Sequence, residues 1–305
     1  MNKEYLKLLQ SYPLDVKVMK SQLRIMEWVE RYGCEGVYVS LSGGKDSTVL
    51  LHLVRQLYPS IPAVFCDTGL EYPEIRAFVK TIDNVTWIKP KMSFRKVINE
   101  KGYPIISKAV SNTVRLARQN IKDNKNTLRV RRIKGLEKGS KFNYGKWEFL
   151  LNAPFKISDE CCNELKKKPF KEYEKETMRV PFIGTMACES LQRESVYLKT
   201  GCNAFDSKRP LSTPLGFWTE QDILEYIYKN NIKIADIYGD VIFNNDKYEL
   251  TGVKRTGCMF CMFGCHLEKS PNRFEQMKIT HPKQYDYCIN KLNLKEVLDY
   301  INVKY

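Results

Sequence analysis

The six residues Ser42-Gly43-Gly44-Lys45-Asp46-Ser47 constrain this chain more than any other stretch. They follow Val37-Tyr38-Val39-Ser40-Leu41, a short, apolar, β-branched run that reads as a buried strand. They precede Thr48–Val54, which reads as a helix. A glycine pair between strand and helix lets the backbone curl so that several N–H groups converge, and the helix start adds favourable dipole charge. Lys45 can neutralise phosphate oxygens. Asp46 has the wrong sign for a phosphate unless a magnesium ion stands between them. Ser42 and Ser47 add hydroxyl groups. The spacing fits neither GxxxxGK[ST] nor GxGxxG.

The pattern around this loop predicts an α/β fold. Residues 1–35 carry Leu6, Leu9, Met19, Leu23, Met26, Trp28 and Val29 at helical spacing, with a break at Pro13. Ile61–Cys66 and Val85–Ile88 read as further strands, with a helix over Tyr72–Lys80 opened by Pro73. Strand and helix alternate at βαβ spacing, which predicts a doubly wound, mostly parallel sheet with helices on both faces. Residues 105–180 break the rhythm, being basic, Asn-rich and poor in periodicity. A strand at Val180–Gly184, a helix over about Cys188–Leu198 and a helix over Thr219–Lys229 follow. Thr219 is placed to cap the last of these, with Asp222 at its third position. The division expected is a helical segment at 1–35, a nucleotide-binding α/β domain at 36–235 with a basic insertion at about 105–160, and a cysteine-containing region at 236–305.

The net charge is +15, a balance that suits a polyanionic partner; a lysine-rich soluble protein is the bland alternative. No apolar run is long enough for a transmembrane helix, and the first residues do not read as a secretion signal, so a cytoplasmic protein is expected. The ten Cys and three His favour metal or redox chemistry over a disulfide framework.

The loop resembles the SGGxDS loop of the ATP pyrophosphatase (PP-loop) superfamily, in which it holds the β and γ phosphates of ATP while a substrate oxygen attacks the α phosphorus. That resemblance implies ATP and Mg2+ at Ser42, Gly43, Gly44, Lys45, Asp46 and Ser47, with Lys45 and Asp46 catalytic. Asp67 ends the second predicted strand, where open α/β sheets bind ligands. The stretch from Asp67-Thr68-Gly69 to Tyr72-Pro73-Glu74 resembles a segment of the phosphoadenosine-phosphosulfate reductase family. So do Cys161-Cys162 with Lys166, Lys167 and Pro169; Gly184 to Ser190 with Arg193; and Pro210-Leu211 through Trp218-Thr219 to Asp222-Ile223. Met186 stands where that family usually has an Arg.

Cys258, Cys261 and Cys265 form C-x2-C-x3-C, with 95 residues between Cys162 and Cys258. A Cys-Cys pair plus a distant CxxC is similar to the [4Fe–4S] arrangement of the iron–sulfur sulfonucleotide reductases. Lys166, Lys167, Lys254 and Arg255 would help to stabilise an anionic cluster. Structural zinc and plain buried thiols are the alternatives. Cys265 is a fifth candidate, as ligand or as nucleophile. Cys34, Cys66, Cys188, Cys202 and Cys288 read as core residues, and His266 as a surface residue.

A complete loop is unlike the degenerate loop of true sulfonucleotide reductases, and the tail lacks their ECG(L/I)H segment; Gly264-Cys265-His266-Leu267 is a partial echo. An intact loop with a cluster resembles the sulfur-transfer proteins of DNA phosphorothioation and, more distantly, iron–sulfur tRNA thiolation enzymes. Those relatives imply DNA or tRNA as sulfur acceptor and a donor protein such as a cysteine desulfurase. Ten basic residues lie between Arg115 and Lys141 against Asp123 and Glu137, followed by Phe142, Tyr144 and Trp147, which could stack on bases. Three functions stay open: ATP-dependent sulfur transfer, sulfonucleotide reduction, and nucleic-acid binding with a structural zinc and a relic loop.

Overall fold

The computed structural model describes residues 2–305. The strands are β1 (Val37–Leu41), β2 (Ala63–Cys66), β3 (Val85–Ile88), β4 (Ile105–Ile106), β5 (Val180–Ile183), β6 (Asn203–Ala204), β7 (Leu211–Ser212), β8 (Val241–Asn244), β9 (Lys247–Leu250) and β10 (Met262–Phe263). The chain forms two compact units, each assembled from separated segments. The first holds residues 1–67, 71–89 and 170–256; the second holds 68–70, 90–169 and 257–305.

The first unit is the α/β body that the sequence predicts. Its six strands lie in the order β3-β2-β1-β5-β7-β6, all parallel except the β6–β7 pair. β1 alternates sides, as a strand must. Val37, Val39 and Leu41 enter the large core with Ile25, Trp28, Val49, Leu53, Ile75 and Trp218. Tyr38 turns to the opposite face, against Val64, Tyr173 and Phe170. Both faces are therefore covered by helices, the condition for a parallel sheet. Pro13 separates helices Lys3–Ser11 and Leu14–Tyr32, as its missing N–H requires. Thr219 caps Glu220–Lys229 in a reciprocal capping box with Asp222.

The second unit corrects the expectation for residues 105–180. Much of this stretch is helical, in Lys108–Lys122 and Leu128–Ile133, with a 3-10 turn over Gly145–Asn152. The helices bury narrow stripes, Val110, Val114 and Ala117 in one and Val130 and Ile133 in the other, which the surrounding Lys, Arg and Asn conceal in a sequence window. β4 pairs with β10 in parallel, Ile105 beside Met262 and Ile106 beside Phe263. This pairing joins the middle of the sequence to its cysteine-rich end, so residues 257–305 form no separate region. Residues 236–256 fold with the first unit instead. Among the described residues no helix is long and apolar enough to cross a membrane.

Candidate phosphate loop and thiol site

In the first unit, β1 delivers the chain into Ser42–Ser47 and the helix Lys45–Leu57 leaves it. Gly43 has φ of +71°, and a Cβ there would lie 2.6 Å from Ile75 Cγ2 and 2.9 Å from Val79 Cγ2. Only glycine both tolerates that dihedral and lets the helix Pro73–Lys80 approach so closely. The N-cap, Gly44, supplies no side-chain cap, so the first N–H groups of the helix are left to a ligand or to water. The hydroxyls of Ser42 and Ser47 bond within the loop: Ser47 Oγ lies 2.9 Å from Ser42 Oγ and donates to the Gly44 carbonyl at 2.9 Å. They shape the loop in this structure.

Lys45 is buried. Its Nζ lies 3.5 Å from Asp46 Oδ1 and 3.3 Å from Glu220 Oε1, and donates to the Lys254 carbonyl at 3.4 Å. Asp46 Oδ1 is buried and has no hydrogen bond of ordinary length among the described residues; the Lys45 ammonium stands 3.5 Å from it, at ion-pair distance. Burial pushes the Asp46 carboxyl above the ordinary carboxylate range, against the pull of Lys45 and Arg255. An anionic oxygen held without an ordinary hydrogen bond beside a phosphate loop is suited to a divalent cation.

Several neighbours of the loop lie far from it in sequence. The Tyr238 hydroxyl is 2.6 Å from Thr256 Oγ1, and both stand beside Gly44. Gly184 abuts Asp46 and Ser47, where a Cβ would lie 3.1 Å from their backbone. Glu189 binds both Arg193 and Arg255, so the guanidiniums of these two residues share one carboxylate. Met186, at the usual Arg position, is buried in the core and offers no charge. Cys188 is exposed, contrary to expectation, because it lies in the short turn Ala187–Glu189 ahead of the helix cap Ser190. Cys34 is half-buried, whereas Cys66, Cys202 and Cys288 are buried as expected. Asp67 is buried and paired with Arg76 at 2.8 Å. A cavity of about 250 Å3 lies beyond Thr185, lined by Met186, Arg193, Tyr197 and Thr213 and by none of the loop residues.

In the second unit, Cys161, Cys162, Cys258 and Cys261 come together from two distant segments. Burial raises the Cys161 thiol pKa, and Cys162, Cys258 and Cys261 raise it further by their charge, while Lys166 opposes them. Burial also raises the Cys261 thiol, with Arg273 and Lys166 pulling it down. Arg273 donates to the Cys261 carbonyl at 2.9 Å, a role that the sequence reading missed. Lys254 and Arg255, expected beside the cysteines, fold with the first unit around the phosphate loop. Cys265 stands differently. Its thiol is buried, donates to the Met262 carbonyl at 3.0 Å, and is pushed up to about 12, chiefly by burial. That placement does not suit a nucleophile. His266 packs edge-on against Trp147 at 5.1 Å.

Among the described residues, no three His, Cys, Asp or Glu side chains are gathered as a single-ion site. Cys162, Cys258 and Cys261 are near enough to Cys161 to act on its thiol electrostatically.

The family model described as phosphoadenosine phosphosulfate reductase domain matches residues 36–263. The chain belongs to this family. An uncharacterized protein of Methanocaldococcus jannaschii is 25% identical over 84% of this chain, and the chain spans about half (47%) of that relative's length. An adenosine 5'-phosphosulfate reductase of Staphylococcus haemolyticus is 25% identical over 70% of this chain and 69% of its own. The solved phosphoadenylyl-sulfate reductase of Candida auris, in its phosphate complex, aligns over 77% of this chain and 90% of its own, with a TM-score of 0.40 and 14% identity.

Proposed function

We propose that this chain is an adenosine-nucleotide-dependent enzyme of sulfur chemistry, binding ATP with Mg2+ at the Ser42–Ser47 loop. The observation that carries the reading is Asp46 Oδ1, a buried carboxylate oxygen with no hydrogen bond of ordinary length among the described residues, beside the buried ammonium of Lys45. A nucleotide with β and γ phosphates offers the most anionic oxygens for a cation held by that carboxylate. Asp46 would hold the Mg2+, which when bound neutralises charge on the departing pyrophosphate. Lys45 offsets the charge of the same phosphates. Converging N–H groups at the helix start hold the phosphate chain in line, so that a substrate oxygen bonds to the α phosphorus as the α–β bridging oxygen leaves. The outer sulfur of a persulfide on a donor protein such as a cysteine desulfurase would displace AMP, and an external dithiol, itself oxidised to a disulfide, would cleave the resulting S–S bond to leave the sulfur on the substrate.

Cys161, Cys162, Cys258 and Cys261 would hold a [4Fe–4S] cluster, whose contribution when bound is to carry electrons or to bind sulfur. Lys166 and Arg273 favour the thiolate forms that such ligation needs. Structural zinc is the alternative, since four cysteines also suit that ion.

Reduction of adenosine 5'-phosphosulfate or its 3'-phosphorylated form is the second reading. The names of the curated relatives favour it over ATP-dependent transfer. The complete loop, and the buried, high-pKa thiols of Cys265 and Cys288, count against it. Calorimetric titration of the anaerobically purified chain separates the two. ATP with Mg2+ binding at least tenfold tighter than adenosine 5'-phosphosulfate, with the preference lost in Asp46→Asn, is the expected result. Tighter binding of the sulfonucleotide, with thioredoxin-dependent release of sulfite, would replace the first reading by the second.

A further inference from the structure

The net charge of the chain is confined to one of its two units. The first unit holds 23 Lys and Arg against 23 Asp and Glu. The second holds 27 against 12, and so carries the entire excess of +15. Nothing in the packing of the second unit calls for this. Its arginines are largely committed inside it. Arg118 donates to the carbonyls of Leu150, Ala153 and Phe155; Arg115 pairs with Asp159 and Glu160; Arg131 pairs with Glu137; Arg129 donates to Asn112.

The lysines behave differently. Lys122, Lys134, Lys138, Lys141 and Lys146 are exposed, and no carboxylate pairs with any of them among the described residues. Four of the five lie within thirteen positions, and aromatic rings stand among them. Phe142 is 41% exposed and Phe149 40%. Lys141 and Arg132 lie over the Phe142 ring at 5.3 and 4.8 Å, and Lys146 over the Trp147 ring at 5.0 Å. Trp147 is half-buried, 6.0 Å from Phe149, and meets His266, the residue after Cys265. Cation–π contacts at exposed sites are worth only about 0.5–1 kcal/mol, so the fold gains little from rings left in solvent.

We infer that the surface Lys134–Phe149 binds single-stranded nucleic acid, its lysines on the phosphates and its rings against unstacked bases. Charge alone would suit any polyanion, an acidic peptide included. The rings select a ligand with flat faces at regular intervals along an anionic backbone. A duplex hides those faces, so the single strand is the form that fits. The inference goes beyond the nucleotide reading, and its measurement uses no ATP.

The test is fluorescence anisotropy of labelled 20-nucleotide single-stranded DNA and RNA with the full chain, between 50 and 200 mM KCl. Four lysine–phosphate contacts give a slope of about −2.8 in log affinity against log salt. The tighter of the two strands identifies the physiological class. Phe142→Ala is expected to weaken single-strand binding about tenfold with the slope unchanged, the mark of lost stacking. Charge reversal by K134E, K138E, K141E and K146E together should abolish binding while the circular dichroism spectrum and melting stay unchanged. Absence of binding at 50 mM KCl, equal affinity for duplex, or equal affinity for a poly-glutamate of matched charge would each overturn the inference.

Discussion

Neutralising Lys17 should destabilise the first unit severely although it lies outside the phosphate loop. Lys17 is 2% exposed, and its Nζ donates to both oxygens of Asp222 at 2.7 Å. Asp222 Oδ2 also accepts from the Thr219 N–H at 2.6 Å and the Thr219 hydroxyl at 2.8 Å, closing the start of the helix Glu220–Lys229. Lys17→Met keeps the unbranched stem and much of the volume, but deprives the largely buried carboxylate of the one cation paired with it among the described residues. Breaking a buried pair from one side costs about 3–5 kcal/mol. Typical whole-domain stabilities are about 5–15 kcal/mol, so the loss is a large fraction. Asp222→Asn strands the ammonium instead, with a cost in the same range, although its amide oxygen can still accept from Thr219. The double variant removes both charges and should lose well under the sum of the singles. The assay is urea unfolding followed by tryptophan fluorescence, since Trp28, Trp87 and Trp218 all lie in this unit. Additive losses, or a Lys17→Met loss below about 1 kcal/mol, would refute the claim that the two charges depend on each other.

Three further outcomes follow from the geometry. Gly43→Ala must adopt φ of +71° and displace Ile75 and Val79; we expect about 2–4 kcal/mol of destabilisation and loss of nucleotide binding, read by calorimetry and urea melts. Cys258→Ser should remove most of the iron and acid-labile sulfide of the anaerobically purified protein, whereas Cys188→Ser should remove none; stoichiometric zinc without sulfide would sink the cluster. Burial holds the His52 pKa below 6.5, where its Nδ1 lies 3.0 Å from the Tyr226 hydroxyl. The unfolded chain therefore takes up the proton first, so stability present above pH about 6.5 is lost as pH falls through the lower folded value; His52→Gln should flatten that limb of a stability–pH curve.

The parts of the fold that were legible in the sequence are those written in local chemistry. β1, the loop and the helix after it are encoded within twenty residues, and so are the Thr219 cap and the Pro13 break. What was hidden depends on distance along the chain. β4 and β10 are two residues each, too short for any periodicity, yet their pairing assigns residues 257–305 to the second unit. Tyr238 and Thr256 reach the loop from about 190 to 210 residues away, and neither lies in a motif that marks a nucleotide site. Arg273 carries no signal beyond following the cysteines. The ten basic residues of Arg115–Lys141 read as one patch, because a sequence shows charge but not the carbonyls and carboxylates that engage four of its arginines.

Division of charge between the units bears on how each can work. A neutral first unit does not draw polyanions indiscriminately; under the proposed function its anion affinity would be concentrated where Lys45 and the helix start converge, and limited by Asp46 and Glu220 beside them. Two carboxylates next to a phosphate loop weaken the binding of a bare anion and favour one that arrives with a cation. The second unit has the opposite bias, with excess positive charge on a surface that carries exposed rings and on residues that flank four mutually repelling thiols. There Lys166 and Arg273 lower the cost of holding several thiolates together, while the lysines of Lys134–Lys146, which no carboxylate pairs among the described residues, remain available to a partner. Measured salt dependence should therefore separate the sites: steep for a polynucleotide on the second unit, and shallow for ATP with Mg2+ on the first, where the cation has already neutralised much of the ligand.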